Sequence, residues 1–181
     1  MGKGSLVKEL FFNIKTTGAL TFSSKSLVNK MLSFADFSEA TLIVELGGGD
    51  GSITKGIVER MRPDAKLLVF EINEHFCKNL EAQFTQPNVK IVCDSAEKLD
   101  DYLNGNKADL ILSSLPFSLI PKDVRTRIIE KSSAFLHDKG RFIQILYAYS
   151  LKYHLAPYFK QIKTTFTLKN FPPTLIMICE R

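Results

Sequence analysis

The segment Val44–Ser52, reading Val-Glu-Leu-Gly-Gly-Gly-Asp-Gly-Ser, constrains this chain more than any other. It joins an apolar run, Thr41–Leu46, to a stretch with Ile53, Ile57 and Met61 at helical spacing. Glycine tolerates the left-handed backbone that a sharp strand-to-helix turn needs, and without a Cβ it lets the chain approach a ligand closely. The same order then repeats. Residues 66–72, 89–93, 109–115 and 141–149 read as further strands. Between them, residues 73–84 place Phe76, Leu80 and Phe84 on one helical face behind Asn73 as N-cap. Residues 121–136 form a second helix with Pro121 in its first turn and Val124, Ile128 and Ile129 inward, and Gly140 is read as the end of the connection that follows. Residues 161–171 and 174–180, flanking Pro172 and Pro173, read as a final pair of strands. Such alternation predicts an α/β fold: a mostly parallel sheet, helices on both faces, and right-handed crossovers. A ligand then sits beyond the carboxyl ends of the strands, where strand order reverses.

That end of the sheet carries the informative residues. Gly47, Gly49 and Gly51 alternate after the first strand, and Glu45 precedes them by two positions. The second strand ends in Glu71, 24 residues after Gly47, where a carboxylate can accept both hydroxyls of a ribose. A dinucleotide site needs a third glycine at the position held by Ser52. After the third strand comes Asp94-Ser95-Ala96. Asp94 can accept a hydrogen bond from a nucleobase amino group or cap the short helix that follows, and the two roles are compatible. The fourth strand runs out into Ser113-Ser114-Leu115-Pro116-Phe117.

Taken in order, these segments resemble the class I S-adenosylmethionine-dependent methyltransferases over roughly residues 40–181. The resemblance implies a Rossmann-like seven-stranded sheet with a C-terminal antiparallel strand, and S-adenosyl-L-methionine as cofactor. It implies that Glu45, Gly47, Gly49 and Gly51 face the amino-acid half of the cofactor and that Glu71, with Ile72, holds the ribose. Asp94, Ser95 and Ala96 would lie beside the adenine, and Ser114 beside the methyl group. Enzymes of this class acting on adenine in nucleic acid carry Asn or Asp where Ser114 stands. The segment is more similar to bacterial phospholipid N-methyltransferases, which methylate phosphatidylethanolamine. So are residues 113–150, the terminal Asn-Phe-Pro-Pro-Thr and residues 16–31. Ser114 replaces that family's usual glycine, and Tyr147-Ala148-Tyr149 its Tyr-Gly-Pro. By this resemblance Tyr147 binds the acceptor amine by hydrogen bond, and Pro116, Phe117, Tyr147 and Tyr149 line the substrate side; the carbonyl of either Ser114 or Leu115 is a further candidate acceptor for the amine. Ser23 and Ser24 would close over the cofactor. No carboxylate base is assigned, because the acids after Ser113 are only Asp123, Glu130, Asp138 and Glu180.

Charge bears on the acceptor. Residues 1–30 hold five Lys and one Glu, residues 141–181 hold six basic residues and one acid, and the intervening stretch is net −4. Basic ends suggest an anionic partner, a phospholipid surface or nucleic acid. Leu6, Val7, Leu10, Phe11 and Ile14 share one helical side, with Lys8 and Lys15 opposite, as in a helix that lies in a membrane interface or packs on its own sheet. The family resemblance favours the interface, so residues 1–30 are expected to form a lysine-rich amphipathic segment and residues 31–181 the catalytic domain. The protein is then cytoplasmic and peripheral to the inner face of the membrane. An rRNA adenine N-methyltransferase is the alternative. The three scattered cysteines lack metal-ligand spacing and are expected to be reduced.

Overall fold

Strand β1, Leu42–Leu46, is buried on both faces, and its apolar run tells why it takes the middle of a sheet. It pairs in parallel with β2, Lys66–Phe70, on one side and with β4, Ala108–Ser113, on the other. β3, Val89–Val92, extends the sheet beyond β2, and β5, Leu136–Leu146, beyond β4. β7, Thr174–Glu180, runs antiparallel between β5 and the edge strand β6, Gln161–Thr167. The order is β3-β2-β1-β4-β5-β7-β6, so the direction of winding reverses between β1 and β4. The structure is a computed structural model that describes residues 24–146, 152–167 and 174–181.

Each face of the sheet carries its own core. On one side, helices α1 (Lys25–Leu32), α2 (Ser52–Val58) and α3 (Glu74–Gln83) press Leu27, Met31, Ile57 and Leu80 onto Ile43, Leu67 and Leu112. On the other, α4 (Leu99–Leu103), α5 (Lys122–Ala134) and α6 (Lys152–Leu155) cover Val44, Leu46, Phe70 and Phe142. Alternation along β1 sends Ile43 to one core and Val44 to the other, as a period of two requires. Asn73 caps α3 as expected, its side chain accepting from the amides of His75 and Phe76, a contact worth about 1 kcal/mol.

Several expectations change. Helix α1 crosses the boundary at residue 30, and its buried Leu27, Val28, Met31 and Leu32 belong to the sheet core. Ser24 caps α1 through the amide of Leu27, while Ser23 and the apolar face from Leu6 to Ile14 lie outside the described residues. Gly140 sits inside β5, which starts at Leu136 and not at Arg141. The register jumps from Ala108↔Leu136 to Leu110↔Arg141, and a Cβ on Gly140 would lie 2.8 Å from the Asp109 carbonyl oxygen. A bulge, not a loop end, explains that glycine. The cysteines are corrected too: Cys77 and Cys93 are joined as a disulfide, with Cα atoms 5.7 Å apart. Parallel pairing of β3 on β2 carries Cys93 alongside α3, a proximity that spacing alone does not reveal. Cys179 stays a free thiol, pushed up to about 12 by burial.

Candidate active site

The glycine loop is tied to both neighbouring strand ends. The amides of Gly47 and Gly48 donate to the Phe70 carbonyl at 2.8 and 3.0 Å. The Ser114 hydroxyl donates to the Gly47 carbonyl at 2.8 Å, which joins the ends of β1 and β4. Gly47 has φ +89°, and a Cβ there would stand 3.0 Å from Ser114 Oγ. Any side chain would both strain the turn and push the loop off β4.

Glu71, at the end of β2, is only 7% exposed. Its Oε2 accepts from the Gly49 amide at 2.9 Å and its Oε1 from the Asn73 amide at 2.8 Å. A carboxylate oxygen takes about two hydrogen bonds, so each keeps capacity for one more. Two fixed acceptors on one carboxylate suit a vicinal diol. Beyond β3, Asp94 Oδ1 accepts from the Ser95 amide, and Oδ2 from Lys98 Nζ and the Tyr102 hydroxyl. Burial pushes this carboxyl up, but the bonds from Lys98, Ser95 and Tyr102 outweigh it and hold Asp94 below the usual range. Asp94 is therefore an anion with acceptor capacity left on Oδ1.

Gly47, Glu71, Ile72, Asp94, Ser95 and Ala96 converge on one cleft. Phe70, Leu115, Ile120, Val124 and Ile128 form its apolar wall. A polar edge beside a broad apolar wall fits a ribosylated heterocycle, with the diol at Glu71 and the base between Ile72 and Ala96.

Four of the expected cofactor residues do not line this cleft. Glu45 is fully buried, and its Oε2 accepts from Thr54 Oγ1 at 2.7 Å, so it fastens β1 to α2. Burial raises its pKa from 4.5 to about 8, and it is neutral at pH 7. Gly49 acts through its amide on Glu71. A Cβ on Gly51 would meet the Phe84 ring at 2.9 Å, so that glycine serves the packing of α2 on α3. Ser114 spends its hydroxyl on Gly47. On the substrate side, Pro116 is buried and the Phe117 ring, 1% exposed, belongs to the core and not to the cleft wall. Tyr147 and Tyr149 lie outside the described residues.

The exit of β4 separates two candidate acceptors for an amine. The Leu115 carbonyl already accepts from the Phe117 amide at 2.9 Å and from Gln144 Nε2 at 3.0 Å, which uses both lone pairs. The Ser114 carbonyl accepts no hydrogen bond among the described residues. Sequence reasoning passed over Gln144, a fully buried residue of β5. It also passed over Arg125, although Val124 beside it was placed inward correctly.

Residues 43–140 match the model of the methyltransferase domain family. The ornithine lipid N-methyltransferase of Singulisphaera acidiphila is 29% identical over 150 residues, 79% of this chain and 77% of that one. The ribosomal RNA small subunit methyltransferase A of Ureaplasma urealyticum is 29% identical over 130 residues, 67% of this chain, but this stretch spans only 45% of that protein. Among solved structures, the N-methyltransferase NodS of Bradyrhizobium japonicum, in complex with S-adenosyl-L-homocysteine, superposes with a TM-score of 0.70 at 10% identity. That match covers 86% of this chain and 84% of NodS. A putative rRNA methylase of Clostridium thermocellum gives 0.67 at 15% identity, over 88% of this chain and 96% of the other. The chain belongs to the methyltransferase domain family and is a class I S-adenosylmethionine-dependent methyltransferase.

Proposed function

We propose that this enzyme methylates the amine of a zwitterionic aminolipid, phosphatidylethanolamine or an ornithine lipid, at a membrane surface. The observation that carries this reading is the exit of β4. Ser114 stands where an adenine methyltransferase offers a side-chain amide or carboxyl, and its hydroxyl is already committed to Gly47. Leu119, 43% exposed on the same loop, adds an apolar surface suited to a lipid. A relative matched over 79% of this chain and 77% of its own is an ornithine lipid N-methyltransferase.

When bound, the cofactor supplies a methyl group on a sulfonium sulfur. Glu71 would hold its ribose, Asp94 and Ser95 would border the adenine, and Gly47 would let the backbone pass close by. The protein's own part is placement: keeping the acceptor nitrogen in line is worth up to about 7–11 kcal/mol in favourable cases. The Ser114 carbonyl is the acceptor that remains for an amine N–H, since the Leu115 carbonyl is fully engaged. The amine must be neutral to attack, and an apolar wall of Leu115, Ile120 and Val124 disfavours the ammonium form. Tyr147 is retained as a second partner for the amine, and Tyr149 as a cation–π partner for methylated products.

In this reading the apolar positions from Leu6 to Ile14 would seat the enzyme on the bilayer. Lys8 and Lys15 would each add about 1 kcal/mol of attraction to an anionic surface. No helix among the described residues is long and apolar enough to cross a membrane. The test is transfer of label from radiolabelled S-adenosylmethionine to liposomes holding either aminolipid. No labelled lipid, with cofactor binding intact, would refute the reading. Methylation of adenine in rRNA is the second reading, favoured by the ribosomal relatives and the basic chain ends. RNA binding would then fall steeply with salt.

A further inference from the structure

Helix α5 carries a buried cation with no counter-charge among the described residues. Arg125 is 9% exposed, yet no carboxylate of the described residues pairs with it. One terminal nitrogen donates to the Phe117 carbonyl at 2.8 Å, and the other meets His154 Nε2 at 3.2 Å. Its Nε is buried and has no hydrogen-bond partner among the described residues. Nearby carboxylates are spent elsewhere: Asp123 pairs with Arg127, and so does Glu97. His154 is held below its ordinary value, first by burial and then by the charges of Arg125 and Lys122, so it is neutral at pH 7 and accepts from the guanidinium.

A buried charge is costly unless paired, and a carbonyl and a neutral imidazole compensate only part of that cost. A guanidinium with an unused N–H, flanked by Lys122 and paired with no carboxylate of the described residues, is a receptor for an oxyanion. Its position gives the anion a role. Arg125 holds the carbonyl of Phe117 in the β4 exit loop, and its neighbour Val124 lines the cofactor cleft.

We propose that Arg125, with Lys122 and His154, binds the anionic group of the methyl acceptor: the phosphodiester of phosphatidylethanolamine or the carboxylate of an ornithine lipid. This inference rests on the aminolipid reading above and adds the group that selects a zwitterion over a plain amine. One end of the headgroup is fixed at Arg125 and the amine at Ser114.

The test compares three acceptors in mixed micelles: phosphatidylethanolamine, an ornithine lipid and a long-chain primary amine without an anion. The wild-type enzyme should prefer the zwitterions. In Arg125→Met the ratio of kcat/KM for zwitterion over plain amine should fall about 10- to 100-fold, the usual weight of a hydrogen bond to a charged group. Arg125→Lys should recover part of the ratio, and calorimetry should give an unchanged cofactor Kd in both variants. Loss of the phosphatidylethanolamine preference alone, or of the ornithine lipid preference alone, would identify which anion is used. An equal loss on all three acceptors would show that Arg125 only props the Phe117 carbonyl, and would overturn the assignment. If the wild type methylates no lipid, the aminolipid reading fails, and the anion site is judged by itself. The His154 ring resonances are then followed by NMR during titration with glycerophosphoethanolamine and with inorganic phosphate. A shift that disappears in Arg125→Met supports the site, and no shift in the wild type overturns it.

Discussion

Above about pH 5, replacing Glu45 by Gln should stabilise the protein, by an amount that grows as pH rises to about 8. Glu45 is completely buried, its Oε1 has no partner among the described residues, and its pKa rises from 4.5 to about 8 because burial disfavours the charge. The sign follows from proton linkage. The folded state binds this proton more tightly than the unfolded state, so the stabilisation is fully present below pH 4.5 and is lost as pH rises to about 8. One pKa unit corresponds to 1.36 kcal/mol, so between pH 5 and pH 8 the wild type should lose about 3 kcal/mol through this group alone. Gln is neutral throughout and can still accept from the Thr54 hydroxyl. Urea denaturation of wild type and Glu45→Gln at pH 5, 6, 7 and 8 measures the difference, and other titrating groups cancel in the comparison. The variant should be nearly as stable as the wild type at pH 5 and about 3 kcal/mol ahead of it by pH 8. Parallel pH profiles for the two proteins would refute the argument, since they would mean that Glu45 ionises at its ordinary value.

Glu71→Ala should weaken S-adenosylmethionine binding at least about 100-fold by calorimetry, because it removes both acceptors offered to the ribose, and should leave liposome flotation unchanged. Equal loss of flotation would show that the two sites are not separate. Deleting residues 1–15 should do the reverse, abolishing flotation on anionic liposomes with cofactor Kd within twofold; retained flotation would move the membrane contact elsewhere. Thiol titration of denatured, unreduced protein should count Cys179 alone, and three thiols after reduction. Closing the 16-residue span between Cys77 and Cys93 should stabilise the fold by about 3 kcal/mol. Equal thermal stability with and without reductant would remove that contribution.

The alternation of strand and helix, the capped start of α3 and the turn at Gly47 were all legible in the sequence. Each depends on residues within a turn or two of one another, where spacing fixes which side chains share a face. Glu71 and Asp94 were legible as cleft residues for a related reason: each lies just past the last residue of a parallel strand, where the chain leaves the sheet at its ligand end. Gly140 was misread because a bulge and a loop end ask for the same residue. The difference between them lies in how β5 aligns with β4.

Tertiary structure decided the properties that depend on distant partners. Glu45 and Glu71 are both acids at strand ends, yet packing of α2 over β1 buries the first as a neutral acid, while the second takes two loop amides and keeps lone pairs for a ligand. Leu115 and Ser114 look equivalent as carbonyl acceptors until Gln144, 29 residues away, fills the Leu115 oxygen. Arg125 reads as one more cation on a charged helix until α5 turns it beneath the Phe117 carbonyl, with no carboxylate of the described residues paired to it. The local pattern determined where the nucleotide end of the sheet would be. Desolvation and lone-pair occupancy, which exist only once distant segments meet, decided what each residue there can do.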